Sequence, residues 1–381
     1  MIRELEQLLK SLEHALDPAS QQKTDRLYKK SLSWEDVPRL PIIFTYPLPQ
    51  DSPFKPFPFS QVFDNHEKML YNELVYVFNT SIACRYKIYD DLPFAVRANF
   101  GTVIIASMLG GKVEQIGENP PWVRSFEDIA KLEKILDCDP SDFSTGLCPK
   151  VVETYKLYQQ ILSNFPILQQ SIKIVLPDLQ GPFDSAELLR GSKIYEDLYV
   201  NVGMLQKVLR HIAEAQVNFA KSLQPYLSDG PEGFSHQHRA MIKGNILIRD
   251  DCTINISPKT YREHVALHDT FVLDAMNGGG IHCCAKFEHL VEEFLALSSI
   301  KCIDLGQSEK NNVDAIYMEA RQYKIPLIRV QAGEEELATG CIIDRFPTGV
   351  TLIHNAESLE KAQYVMTAYE DAARQRPNTW H

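Results

Sequence analysis

The sequence holds no run of about 18 consecutive apolar residues, so no segment reads as a bilayer-spanning helix. It also has no dense block of lysine and arginine. Its 39 basic and 50 acidic residues leave a net charge of −11, which argues against nucleic acid and anionic membrane surfaces as partners. Cysteine is thinly spread, with eight residues (Cys84, Cys138, Cys148, Cys252, Cys283, Cys284, Cys302 and Cys341) in a chain of 381. That scatter does not make a disulfide framework. The opening "MIRELEQLLKSLEHAL" has neither the apolar centre of a signal peptide nor the Arg/Ser bias of a transit peptide, so a reducing cytoplasm is the expected location. No internal repeat of about 20–50 residues recurs. No phosphate-cradling glycine motif is present either, because "GGG" at 278–280 runs into a strand pattern and not a helix.

What is present is an ordinary globular composition, 44% hydrophobic and 23% charged, able to bury a large core. Eight short apolar runs alternate with helical patterns. They are "PIIFTY" (41–46), "FAVRANF" (94–100), "IKIVLPDL" (172–179), "NILIRD" (245–250), "GIHCCA" (280–285), "KCIDLG" (301–306), "PLIRVQ" (326–331) and "VTLIHN" (350–355). Most are apolar or β-branched throughout, as strands buried on both faces are. Between them, "VGMLQKVLRHIAEAQVNFAKSL" repeats apolar residues at three- and four-residue steps. "SPKTYREHVALHDTFVLDAM" opens with Ser257 as N-cap and Pro258 in the first turn, and "SLEKAQYVMTAYEDAA" opens with Ser358 as cap. The alternation predicts an α/β fold, a single (β/α)8 TIM barrel domain over 1–381, with a doubly wound sheet as the alternative. Residues 1–35 read as an N-terminal helical extension, and 112–170, with its "ENPPWV" turn, as an insertion after the second strand.

In such a barrel the chemistry gathers at the C-terminal strand ends. The residues expected there are Asn99, Asp178 and Gln180, Asp250 and Asp251, His282 and Cys284, Gln307 and Glu309, Arg329 and Gln331, and His354. Strand side chains alternate, so His282 and Cys284 of "GGGIHCCAKFEHL" point one way and Cys283 the other. An imidazole and a thiolate can converge on zinc, and three protein ligands with one open position make the catalytic pattern. His354 at the end of the last strand is the favoured third ligand, with Cys341 in "TGCIID" in reserve. The plain alternative is a packed cysteine beside a hydrogen-bonded histidine, with Gly278 to Gly280 as the cap and turn closing the preceding helix.

Other groups carry two readings each. Asp184 lines a pocket or caps its helix. Asp250 and Asp251 form a proton-transfer pair with one raised pKa, or one caps a turn and the other meets Arg249 or Lys286. Gln307 and Glu309 contact substrate or face solvent. His236 and His238 in "HQHRA" invite a metal reading, but they follow the Gly/Pro-rich "SDGPEGFS" and a solvated loop is the expectation. His264 and His268 share one helix face.

Several stretches, in order, resemble the uroporphyrinogen decarboxylase superfamily. "DLPFAVRANFGTVIIASMLGGKV" is similar to its second strand and following helix, "DLQGPFDSAELLRG" to its strand and Gly-Pro turn, and "INISPKTYREHV" to its "SPxxYxxF" helix start. "GGIHCCAKFEHL" is similar to its "HxCG" strand and "VTLIHNAESLEKA" to its last strand, so the resemblance spans about residues 90–365. It implies the barrel independently. The decarboxylases hold a porphyrinogen with arginines of an "RQAGR"-like segment and use an aspartate near the second strand. Here "PIIFTYPLPQD" has no arginine and the second strand ends in Asn99, with Arg97 the sole basic group, which argues against that reaction. The other branch, the cobalamin-linked methyltransferases, holds zinc with an H-x-C pair and a last-strand cysteine; His282 and Cys284 match the pair, and His354 stands at the cysteine's place.

The resemblance therefore implies a zinc-dependent methyltransferase with His282, Cys284 and His354 as metal and catalytic residues. A methyl group would pass between a corrinoid and a small thiol or other small-molecule acceptor or donor. Arg97, Asn99, Asp178, Gln180, Asp250, Asp251, Gln307, Glu309 and Gln331 would line the substrate pocket. No corrinoid-binding segment is apparent, so a corrinoid protein partner is implied, and the family's usual assembly is a homodimer. A metal-free decarboxylase acting on a smaller acid and a non-catalytic tetrapyrrole or corrinoid binder are the alternatives.

Overall fold

The computed structural model describes residues 1–48, 50–81, 88–126, 128–230, 232–237 and 239–376. Each of the eight apolar runs contains a strand, though the second is short. The strands are β1 (Ile42–Thr45), β2 (Ala95–Val96), β3 (Lys173–Ile174), β4 (Leu179–Gln180), β5 (Ile246–Arg249), β6 (Gly279–Cys283), β7 (Ile300–Leu305), β8 (Leu327–Gln331) and β9 (Val350–Asn355). Seven form one sheet in the order β1-β9-β8-β7-β6-β5-β4, every neighbouring pair parallel, while β2 and β3 form a separate parallel pair. The expected third strand is thus split, its start pairing with β2 and its end with β5. Pro177 lies between the halves and has no N–H to give a ladder.

Helices fill the connections, because parallel neighbours need a long crossover. Val202–Ser222 buries Leu205, Val208, Leu209, Ile212, Val217 and Phe219, the face its three- and four-residue spacing marks out. The Ser257 hydroxyl accepts from the Thr260 N–H at 3.1 Å with Pro258 in the first turn, but this helix breaks at Val265 into Pro258–His264 and Ala266–Ala275. Ser358 caps Leu359–Gln375 in the same manner. Residues 112–170 carry an antiparallel hairpin, Lys112–Glu114 with Trp122–Arg124, and the helix Cys148–Leu162. No helix among the described residues is long and apolar enough to cross a membrane.

The N-terminal segment is more than an appendage. Arg3–Ala15 buries Leu5, Leu8, Leu9 and Leu12 completely in the main core. The next helix, Pro18–Leu32, sends Tyr28 and Leu32 into a second apolar cluster with Leu247, Cys302 and Ile328. Ala240, Met241 and Ile242 of a second hairpin, Phe234–Gln237 with Ala240–Lys243, complete it. Of the glycines before His282, Gly278 closes the helix Ala266–Ala275, its N–H donated to the Leu273 carbonyl at 2.8 Å, while Gly280 serves this packing. Only Gly278 is left-handed, with φ +98°. Gly280 lies in β6, where a Cβ would collide with the Cys302 sulfur and meet Leu247 at 2.9 Å.

Candidate metal centre

Two residues further along the same strands, the face turns polar. Register sets Arg249 of β5 beside His282 of β6, and His282 beside Asp304 of β7. Arg329 reaches Asp304 from β8 through a bulge. Leu327 pairs with Val350 but Val330 with Leu352, so β8 carries one extra residue. Arg329 takes the strain of that insertion, with φ +60° and its N–H donated to the Thr351 hydroxyl at 3.0 Å.

Asp304 receives both forks of Arg329, Nε at 2.8 Å and Nη2 closer still, and lies 2.8 Å from His282 Nδ1. Burial opposes its charge, but Arg329 and His282 outweigh burial and hold its pKa far below the ordinary carboxylate range. With Nδ1–H donated to this fixed carboxylate, His282 turns Nε2 outward as a lone-pair donor, the arrangement by which a second carboxylate orients a metal-bound histidine. Arg329 Nη2 also lies 3.1 Å from Nδ1, so metal binding requires the tautomer in which Nδ1 donates to Asp304.

Nε2 faces two more ligand atoms. Cys284 Sγ is 3.3 Å away and Asp251 Oδ1 3.8 Å. One ligand atom from each of Asp251, His282 and Cys284 lies within 4.8 Å of the others. Asp251 is fixed there because its Oδ1 accepts the Cys284 N–H at 2.6 Å. Its side chain is 37% exposed, so the group opens toward solvent. Gly306 leaves room beside it; a Cβ would come within 2.7 Å of both Cys284 Sγ and His282 Cε1. Burial, then the Asp251 charge, pushes the Cys284 thiol up to about 12. It is neutral until a cation replaces its proton. A nitrogen, a sulfur and a carboxylate oxygen, with one side open, form a donor set that suits zinc.

Neither expected third ligand joins this group. His354 is buried, with Nδ1 2.8 Å from the Ala332 carbonyl and its ring edge-on to Phe44. Cys341 is exposed and opens the helix Cys341–Arg345, its thiol directed at the Glu336 carbonyl. The third position goes to Asp251, which sequence spacing suggests only as a pocket or capping residue.

The remaining candidates divide. Asp178 bridges Arg97 and Arg249 in a half-buried Arg–Asp–Arg triad, and Asn99 donates to Glu73 at 3.1 Å. Gln180 is buried with Oε1 unpartnered. Gln307 accepts the Ala285 N–H, Gln331 accepts from Asn355, and Glu309 is exposed. Arg249 pairs with Asp178 and Lys286 with Glu288, so neither meets Asp250 or Asp251. Asp250 is fully buried with both oxygens unpartnered; burial, then Asp269, Asp184 and Asp251, raises its pKa well above normal. Asp184, also fully buried, accepts the Cys252 N–H instead of capping its own helix. His268 turns inward to Gln206 at 2.9 Å.

His236 is not solvated. It is 5% exposed, with Nδ1 2.7 Å from Asp229 and Nε2 3.2 Å from Asp25. Its neighbour His238 lies outside the described residues. The residues that spacing missed are Asp304 and Glu73. Asp304 leaves one trace, a lone carboxylate inside the apolar run "KCIDLG". Comparison of the chain with protein-family models and with curated proteins gives no match in either, so the centre is read from its geometry.

Proposed function

We propose that the chain is a (β/α)8-barrel methyltransferase related to the uroporphyrinogen decarboxylase superfamily, holding zinc at Asp251, His282 and Cys284. The carrying observation is that these ligand atoms lie within 4.8 Å of one another, with His282 Nδ1 already engaged by Asp304. Barrel closure is supported by residues 172–180, whose two ends pair with β2 and with β5. On the far side, the Asp91 N–H donates to the Ile42 carbonyl at 2.8 Å and ties the approach to β2 onto β1.

When bound, zinc would supply Lewis acidity that favours the deprotonated form of a thiol at the open position. Asp304 and Arg329 fix the His282 ring, Asp251 holds the Cys284 backbone, and Gly306 leaves the space in which the acceptor sits. The methyl group would come from, or go to, a corrinoid carried by a separate protein at the strand ends.

A second reading, metal-free decarboxylation of an acid, draws support from the buried arginines. Among the described residues, Arg97, Arg249 and Arg329 face Asp178 and Asp304 as direct ion-pair partners, with Glu73 more distant, and Arg249 Nη1 is buried without a partner there.

The test is metal content of protein purified without added metal or chelator, compared with Cys284→Ala, Asp251→Ala and His354→Ala. Near-stoichiometric zinc is expected in the parent and in His354→Ala, and loss in the other two. Zinc kept in Asp251→Ala but lost in His354→Ala would return the third position to the histidine. Folded parent protein without metal would remove the methyltransferase reading and leave CO2 release from a carboxylated substrate as the assay to run.

A further inference from the structure

A cavity lies between β2 with its following residues and the helix His66–Ser81. It holds about 250 Å³ and opens to solvent, and Asn72, Glu73, Tyr76, Arg97, Asn99 and Arg239 line it. Two guanidinium groups enter it with donors unspent. Arg97 is 11% exposed at its side chain and gives Nη1 to Asp178, but its Nε is buried, without a hydrogen-bond partner among the described residues, and 4.0 Å from Glu73. Arg239 has no ion-pair partner among the described residues, and its Nε is likewise buried without an acceptor. It is nonetheless held in place. Its guanidinium lies over the Tyr76 ring, 4.0 Å from the centroid, and its backbone takes φ +60° just before the hairpin strand Ala240–Lys243. A non-glycine residue in that region of backbone space is uncommon and requires support from its surroundings.

A buried donor without an acceptor is costly, and two in one cavity ask for the same kind of partner. Planar guanidinium groups match oxyanions, carboxylate or phosphate, through paired N–H donors. The carboxylate already present is not that partner. Glu73 spends Oε1 on the Asn99 amide and Oε2 on the Arg97 backbone N–H at 3.4 Å. Burial also raises its pKa, which weakens its repulsion of an incoming anion.

We propose that this cavity is a ligand site for a small oxyanion-bearing molecule, with Arg239 as the principal counter-ion and Arg97 Nε as a second donor. It shares no residue with the metal ligands, and it gives Arg97 and Asn99, expected from sequence to line a substrate pocket, an anion partner that the methyltransferase reading does not call for. The aromatic platform makes Arg239 a preorganised fork and not a mobile surface charge.

The test is calorimetric titration of the full chain with inorganic phosphate, and separately with succinate, in chloride buffer of matched ionic strength. Parent protein, Arg239→Gln and Cys284→Ala are compared. Binding of phosphate alone identifies a phosphorylated ligand, and binding of succinate alone a carboxylate; either supports the site. Arg239→Gln is expected to weaken that binding at least about tenfold, the scale of a lost charge-assisted hydrogen-bonded pair. Cys284→Ala is expected to leave it unchanged. No binding of either probe, equal binding in Arg239→Gln, or loss of binding in Cys284→Ala overturns the proposal, the last because it moves the anion to the metal ligands. If the glutamine variant does not fold, Arg239→Lys keeps the charge without the fork and is expected to weaken binding severalfold; unchanged affinity there overturns the proposal as well.

Discussion

The two levels of one sheet face differ more than any two strands do. At the lower level Leu247, Gly280, Cys302 and Ile328 meet the hairpin residues Ala240, Met241 and Ile242 and the helix residues Tyr28 and Leu32. Two residues on, about 7 Å along each strand, Arg249, His282 and Asp304 occupy the same face, joined by Arg329. The lower level gains stability from apolar burial and close packing. The upper level puts charges where water is scarce, which is tolerable only because each charge is paired. A fold does not need such a belt. It lies beside the ligand atoms of Asp251, His282 and Cys284, which is the reason for proposing the upper level as the working end.

The sharpest way to break the comparison is to unpair the belt. Asp304→Ala leaves Arg329 buried without its carboxylate and frees the His282 ring. A loss of about 3–5 kcal/mol in urea unfolding is expected, together with a fall of about 10–100-fold in metal affinity. Converting both partners, Asp304→Leu with Arg329→Leu, should recover most of the stability and none of the metal affinity. If the double variant binds metal like the parent, the belt is structural only.

At the lower level the expected pattern is inverted. Ile328→Ala should cost about 2–4 kcal/mol by opening a cavity in the sealed cluster, while metal content of the folded fraction stays at the parent's value. Metal loss at parental stability would mean that the two levels are not separable.

The smallest effect concerns how the lower level is closed. His236, on the hairpin, sits between Asp229 and Asp25 of the helix Pro18–Leu32. Burial disfavours its charge, but hydrogen bonds to Asp229 and Asp25 and their charges prevail and push its pKa from 6.5 up to about 9. A histidine whose folded pKa is raised stabilises fully below the unfolded value and loses that contribution as pH rises through the folded one. Unfolding free energy should therefore drop by roughly 2–3 kcal/mol between pH 6 and 10 through this group. His236→Gln should remove that part of the slope. An identical pH profile in the variant would show that the clasp does not hold the hairpin shut.

The sequence alone carried the strand positions far. Eight apolar runs bounded by polar residues are a local signal, and each contains an observed strand. The i, i+2 alternation likewise brings His282 and Cys284 to one face without any knowledge of the fold. Helix starts at Ser257 and Ser358 were legible for the same reason, since a cap is made within four residues. His236 was misread because the local cues, glycine and proline just upstream, describe the chain's turn. One partner, Asp229, lies in that same stretch, but the other, Asp25, is 211 residues away and only the fold brings it to the second ring nitrogen.

The third ligand shows the same limit at the metal-ligand group. Sequence spacing offers His354, with Cys341 in reserve, and places Asp251 at a strand end only as a pocket or capping residue, because neither propensity nor periodicity tells which strand end faces His282 and Cys284. Register does. Asp251 follows β5, the direct neighbour of β6, and its carboxylate is pinned by the Cys284 backbone, whereas His354 ends β9, beside β8 and β1. Arg329 is the clearest case of a tertiary decision, because only the β8 bulge turns a side chain of the wrong parity toward Asp304. Sequence thus determined which residues form strands and which pair shares a face, because those are properties of consecutive residues. Which carboxylate joins the pair, which arginine steadies it, and which histidine is buried as a clasp were decided by strand order and register, since these bring together groups the chain keeps far apart.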